Sequence, residues 1–457
     1  MTDRWQWRRE SYMDNPLVSL SRQAEHWRFQ QLTPGLEVAA RRAILDWFAT
    51  TLPGAKEEPS LALLQAVQFE EFPRRSVCYA DGKMRSPRAA ALLNATASHI
   101  VEFDDIFKDG GYHPGSPTIA AALALAQHLG RPLNDLHRAI IGGYEVGCRI
   151  SLAVQPSHYA FWHTTATIGT MGAATACAML LGCDAEKIAH AISLASSFAG
   201  GHQQNLKNGG MAKALHAGHA AEAGMLAAFS AASGMTGSPD ALHGETGYAA
   251  ATSASTGDWA SALKGLGEWA PIEHMTIKNH GCCGHIFPAL DGLRLMRQRH
   301  GFTSSDVKAI RIDGYGATKT MCDRPAPQTA ADARFSAQYC IAADMVLGGV
   351  RLSAFKDEAL KNADIRQLMD KVAVGMDPVL AGLYPKQRMA KLTVHLNDGR
   401  RVEHLQETRK GDPEDPLSLE ELVQKFDELT GAVLNATQIA ALRNRILTET
   451  ELPQQAC

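Results

Sequence analysis

Between Leu17 and about Gly265 the chain is written in apolar stretches of helical length, separated by short Gly, Pro or Asn breaks. The period-2 alternation of a half-buried strand is nearly absent there, so this portion is expected to be helical. Thr33-Pro34 reads as an N-cap with proline at the first helical position, and LEVAARRAILDWFATTL runs on from it to Pro53-Gly54. AAALALAQHLG, NDLHRAIIGGYEVGCRISLAV, TTATIGTMGAATACAMLLG, DAEKIAHAISLASSFAG and KALHAGHAAEAGMLAAFSAASG continue the pattern. Several are apolar on most faces and rich in Ala and Gly, which predicts helices buried on several sides and packed closely.

The character changes between about Leu266 and Leu405. Alternating β-branched residues appear in VKAIRIDGYG and AKLTVHLNDGRRVEHL, where Asn397-Asp398-Gly399 marks a hairpin turn. From Pro416 the chain returns to amphipathic helix. The expectation is a mainly α protein, with a large helical domain of residues 1–265 plus 406–457 and an inserted α+β domain of residues 266–405. A chain of 457 residues is long enough for two such cores.

Several classes of function fall away. Forty-five Lys and Arg against 48 Asp and Glu leave a net charge of -3, with no basic field for nucleic acid or anionic lipid. The first thirty residues lack a signal-peptide h-region, and the longest apolar stretch, Ile168 to Gly182, falls short of the roughly 20 residues a spanning helix needs. A cytoplasmic location is expected, without nucleic acid or membrane partners. Nine cysteines, with Cys282 and Cys283 adjacent, suit a reducing compartment better than a disulfide framework. Phosphate-cradling glycine motifs, H-E-x-x-H and G-x-S-x-G are absent, and no second ligand pair accompanies Cys282, Cys283 and His285, so no metal site is expected.

Titratable residues gather in five places. HIVEFDDIFKDGGYHPGSP carries His99, Glu102, Asp104, Asp105, Asp109 and His113; crowded carboxylates and imidazoles separate acid from base roles near neutral pH. PSHYAFWHTTATIG brings His158 and His163 to a helix start that favours an anion. GHQQNLKNGGMAKALHAGHAAE starts a helix with Lys213 and His216. MTIKNHGCCGHIFPALDG groups Lys278, His280, Cys282, Cys283 and His285 around glycines that admit a ligand to the backbone. MCDRPAPQTAADARFSAQY offers Arg324 and Arg334 as carboxylate clamps. The alternatives are solvated charges, satisfied core histidines and a capping role for Asp109.

Taken together, LLNATASHIVEFDD with HPGSP, FWHTTATIGTMGAA, MAKALHAGHAAEAGMLAA, IKNHGCCGHIFPALDG and DRPAPQTAADARFSAQYCIAA resemble the MmgE/PrpD family through most of the chain. That family includes 2-methylcitrate dehydratase, cis-aconitate decarboxylase and iminodisuccinate epimerase. The resemblance implies a large all-α domain with an inserted α+β lid domain, a homodimer, an active site between the domains and no cofactor. It places Glu102 where the family commonly has aspartate, and Asp104, Asp105, His113, His163, Lys213 and Lys278 on pocket positions. His280 and His285 share the second-domain segment. Met321 stands where the decarboxylase has a catalytic tyrosine, and the segment from Asp105 to His113 is shorter than in the methylcitrate dehydratases.

The expected chemistry is proton abstraction next to a carboxylate in a small di- or tricarboxylate, by a cofactor-independent lyase of 2-methylcitrate dehydratase type. Decarboxylation of a cis-aconitate-like acid and epimerisation are the alternatives. The carbon acid is weak, so the site needs a base and charges that stabilise the carbanion. Lys213, Lys278 and Arg324 are expected to bind carboxylates, with His280, His285 and Asp105 beside substrate. His163 or a second-domain histidine moves the proton, and His113 with the Glu102, Asp104 and Asp105 cluster serves as partner acid or orients it. Two rivals of other classes are a Mg²⁺-dependent isoprenoid-type synthase, since Asp104, Asp105 and Asp109 approximate D-D-x-x-D with one residue too many, and a non-catalytic carboxylate-binding protein.

Overall fold

The computed structural model describes residues 15–57, 60–61, 75–206 and 211–449. Residues 1–14, part of the leader reading above, lie outside the described residues, as do 207–210 in the approach to Lys213 and Cys457. The chain divides into two compact units, one of Met1–Ile100, Asp104–Met275 and Leu422–Cys457, the other of Val101–Phe103 and Thr276–Glu421. These divisions fall at 275/276 and 421/422, where composition suggests 265/266 and 405/406. Buried Arg149 accounts for the first difference, because it donates to the carbonyls of Ala262 at 2.9 Å, Lys264 at 3.0 Å and Gly265 at 3.2 Å and so ties that segment to the helices. The second follows from residues 407–421 pairing within the second unit: Arg409 binds Asp412 at 2.7 Å, and the Lys410 amide donates to Asp291 at 2.9 Å.

The first unit is helical. Its main elements are α1 (Pro16–Phe29), α2 (Pro34–Gly54), α3 (Pro87–Ser98), α4 (Gly115–Leu129), α5 (Leu133–Val154), α6 (Thr164–Leu180), α7 (Ala185–Phe198) and α8 (Ala212–Ala232). Asn15, Thr33, Ser86 and Asp184 cap α1, α2, α3 and α7 through their side chains. At the centre runs α6, buried at every residue and packed against α1, α4, α5, α7 and α8. Its composition permits this. Ala and Gly let neighbouring backbones approach, and Thr170 and Thr175 satisfy their hydroxyls on the carbonyls of Ala166 and Met171, each at 2.9 Å. Gly143 on α5 is such a contact, since a Cβ there would sit 2.8 Å from the Gly172 carbonyl oxygen. Among the described residues no helix is long and apolar enough to cross a membrane.

The second unit holds a four-stranded sheet of β1 (Val307–Gly314), β2 (Val372–Met376), β3 (Ala390–Leu396) and β4 (Arg401–Gln406), in the order β2-β1-β3-β4. β1 and β2 are parallel; the other pairs are antiparallel. β3 turns into β4 through Asn397-Asp398-Gly399, where Gly399 has φ 90 and Leu396 donates to the Arg400 carbonyl at 2.9 Å. Helix α9 (Phe287–His300) packs across β3 and β4, and Ile310, Ile312, Leu392 and Val394 join Phe287, Leu290 and Leu293 in one core. The eight described cysteines are all buried and free.

Candidate active site

Helix α3 ends at His99, and the chain loops through residues 100–114 before α4 begins. Asp105 anchors that return. Its Oδ1 accepts the Gly115 amide at 3.0 Å and its Oδ2 the Tyr144 hydroxyl at 2.7 Å. Glycine is required at 115, because a Cβ would lie 2.6 Å from Asp105 Oδ1. Burial first, then the charges of Asp46 and Asp104, push the Asp105 carboxyl up to about 7.

Its neighbour Asp104 is a hydrogen-bond hub. Asp104 Oδ2 lies 2.6 Å from His99 Nδ1, 3.1 Å from His113 Nδ1 and 3.0 Å from Ser116 Oγ. Burial opposes ionisation, yet the two imidazoles outweigh it and hold this carboxyl well below the usual carboxylate range. His99, Asp104 and His113 also offer three potential metal-ligand atoms within 4.8 Å of one another. His99 Nδ1 at 2.6 Å is hydrogen-bonded to Asp104 Oδ2, and His113 Nδ1 stands 3.1 Å from the same oxygen.

Two further imidazoles extend the array. His163, the N-cap residue of α6, turns its Nε2 toward His99 Nε2 at 3.5 Å and its Nδ1 toward His216 Nδ1 at 3.2 Å. The His99 and His163 rings stack with centroids 5.4 Å apart. Burial is the main reason that His99 is lowered to about 4 and that His163 and His216 are lowered. All three imidazoles are therefore neutral at pH 7. Lys213 stands one helical turn before His216 on α8, half-buried, and its charge further lowers His99 and His163. His158, by contrast, is a satisfied core residue, bonded to Thr167 Oγ1 at 2.8 Å and the Thr252 carbonyl at 3.1 Å.

The second unit carries the other candidates. Lys278 Nζ meets Glu102 Oε2 at 3.1 Å, both buried. Glu102 has φ 60, the one positive-φ non-glycine backbone among the described residues, a conformation costing about 1–2 kcal/mol. The surroundings enforce it: Arg334 donates to the carbonyls of Val101 and Gly281, each at 2.8 Å, and clasps residues 101–103 to the unit. His280 bonds Asp291 at 2.8 Å, and His285 bonds the Tyr315 hydroxyl at 2.8 Å beneath a Tyr315–Tyr384 stack. Arg324 pairs with Asp332 at 2.7 Å and lies over Phe335.

Of the residues expected from sequence, Asp104, His113 and His163 thus assemble with Lys213 nearby, and Glu102 pairs with Lys278. His280, His285 and Arg324 are each engaged by a separate partner, and Asp105 gives both oxygens to the scaffold. Asp109 is exposed and does not cap α4, whose N-cap is Pro114 with no side-chain bond. His99 and His216, unassigned from sequence, complete the array. The available signal was their place in the same clusters as Asp104 and Lys213.

Comparison with known proteins agrees with this architecture. Residues 18–258 match the MmgE/PrpD N-terminal domain, and residues 280–448 match the MmgE/PrpD C-terminal domain. The chain is 25% identical over 438 residues to a cis-aconitate decarboxylase-like protein, oryM, of Aspergillus oryzae, covering 90% of this chain and 89% of that one. It is 24% identical over 434 residues to the cis-aconitate decarboxylase of Aspergillus terreus, covering 90% and 88%. The Homo sapiens cis-aconitate decarboxylase is 25% identical over 427 residues, covering 90% and 87%. With both domain models matched in order along nearly the whole chain, the protein belongs to the MmgE/PrpD family.

Proposed function

We propose that the protein is a lyase acting on a small di- or tricarboxylate, and that the reaction is decarboxylation of a cis-aconitate-type acid. The observation that carries the reading is the buried array in which ionised Asp104 orients His99 and His113 while His163 stays neutral beside Lys213. Decarboxylation of such a trianion releases carbon dioxide, leaves an electron pair next to the remaining carboxylates, and takes up one proton to give a dianion. Lys213 supplies the cation that stabilises the developing charge, and the proton reaches the carbon from solvent by relay through His163 or His113, the ring taking up one proton as it gives one. Lys278 keeps the carboxylate-binding role expected from sequence, with Glu102 as its partner. His280, His285 and Arg324 remain candidates whose present bonds would have to be shared with substrate. The relatives named for cis-aconitate decarboxylation favour this reaction over dehydration. One residue favours the second reading, dehydration of a 2-methylcitrate-type acid: Met321 replaces the phenol expected of the decarboxylase.

Proton NMR in D₂O with cis-aconitate, 2-methylcitrate and iminodisuccinate separates the outcomes. A five-carbon dicarboxylate carrying one new deuterium supports decarboxylation. An alkene formed with loss of water selects dehydratase; deuterium entering an otherwise unchanged acid selects epimerase. Binding of these acids without turnover overturns the lyase reading. Lys213→Ala and His163→Ala are each expected to lower kcat by at least about 10²-fold with the fold retained by circular dichroism.

A further inference from the structure

We propose that His216 is a positioning residue for His163: its Nδ1–H fixes His163 as the tautomer that carries its proton on Nε2. The argument starts from the far end of the array. Asp104 is ionised and accepts, so His99 carries its proton on Nδ1, at 2.6 Å from the carboxylate. A neutral imidazole has one proton, so His99 Nε2 is bare. That bare nitrogen faces His163 Nε2 at 3.5 Å, and the contact is attractive only when His163 Nε2 carries the hydrogen. His163 Nδ1 is then bare and faces His216 Nδ1 at 3.2 Å, which must donate. Every ring nitrogen facing another group along the line thus has a determined state. Geometry keeps it so, since His99 and His163 are buried and His163 is held at its backbone by the Gly201 carbonyl at 2.9 Å. Without the His216 donor, Nδ1 of a buried imidazole loses its partner, and the Nδ1–H tautomer gains at the expense of the form that can donate from Nε2.

The inference rests on the lyase reading only for its kinetic consequence; the tautomer is open to direct measurement. The experiment uses the full chain with ¹⁵N-labelled histidine, in wild type, His216→Leu and His216→Asn, with His163→Gln to assign the ring signals. Asparagine places an amide N–H where imidazole Nδ1 stands, whereas leucine fills the space without a donor. Nitrogen shifts should show His163 protonated at Nε2 in wild type and His216→Asn, and a mixture in His216→Leu. With the acid that wild type turns over, kcat should fall about 10–100-fold in His216→Leu at unchanged KM, and His216→Asn should restore most of it. An Nδ1–H form of His163 in wild type, full kcat in His216→Leu, or an asparagine variant as slow as leucine would each overturn the proposal. If wild type turns over none of the acids, the lyase reading fails alone and the nitrogen shifts still decide the tautomer.

Discussion

Replacing Asp105 with asparagine is expected to stabilise the first unit at and above neutral pH. Asp105 is buried with both oxygens engaged, by Gly115 N–H and the Tyr144 hydroxyl, and its carboxyl is pushed from the ordinary 3.8 up to about 7, chiefly by burial. Asparagine keeps a carbonyl oxygen for Gly115 and offers its amide to the Tyr144 oxygen, without a charge. The unfolded chain loses this proton near 3.8 and the folded chain near 7. Between those values the folded state binds more protons, so the aspartate costs stability increasingly as pH rises. At about 1.4 kcal/mol per pH unit the cost sums to about 4 kcal/mol above pH 7. His99, His137 and His158, each lowered by burial to about 4, work the other way: their stabilising effect is present above their unfolded value and lost as pH falls toward 4. They are common to both proteins and cancel in the difference. Urea unfolding followed by circular dichroism, from about pH 4 to about pH 8, should show a gap that opens with pH and levels off near 4 kcal/mol. A gap that is constant with pH, or an asparagine variant less stable at pH 8, would refute the reasoning.

Other substitutions probe the remaining features. Asp104→Leu removes the acceptor that holds the His99 proton on Nδ1; kcat should fall on the order of 10²- to 10⁴-fold with the circular dichroism spectrum unchanged. Lys278→Met removes the ammonium from buried Glu102 and should cost the second unit about 3–5 kcal/mol in chemical denaturation, much of it recovered on adding Glu102→Gln. Arg149→Met removes the partner of buried Glu145 and the donor to the Ala262, Lys264 and Gly265 carbonyls. A loss of about 3–5 kcal/mol is expected there, with proteolysis between residues 262 and 275 as the readout of the released segment.

The helices were legible because their signals are local. Thr33-Pro34 caps α2 as read, the Ala-rich run of α6 is buried along its length, and Asn397-Asp398-Gly399 makes its hairpin. Asp104, His113 and His163 were legible as candidates because residue type and clustering marked them. The assignment of residues 101–103 to the second unit was not, since it depends on Arg334 reaching the Val101 carbonyl across 233 positions of chain. The roles of His99 and His216 were hidden for the same reason. Each is defined by a ring nitrogen of His163, 64 and 53 residues away, and no short-range pattern encodes which nitrogen faces which. The strained backbone of Glu102 left no mark either, because glutamate is an unusual residue for positive φ.

Asp104 and Asp105 show how far two adjacent, identical side chains can be separated by what surrounds them. In the chain they read as one acidic pair, and with Asp109 they approximate a Mg²⁺ motif. In the fold their carboxylates face different partners. Asp104 meets two imidazoles and a hydroxyl and is held ionised; Asp105 meets a phenol and an amide near two other carboxylates and is held toward neutrality. A metal-binding pair needs both carboxylates charged and turned to a common point, and the bonds from Tyr144 and Gly115 hold Asp105 away from that role. The same separation divides the labour within the loop. Burying one charged carboxylate among imidazoles gives a hub that fixes proton positions on His99 and, through it, on His163. Holding its neighbour toward neutrality lessens a second buried negative charge, which would raise the pKa of Asp104 and weaken its grip on the histidines.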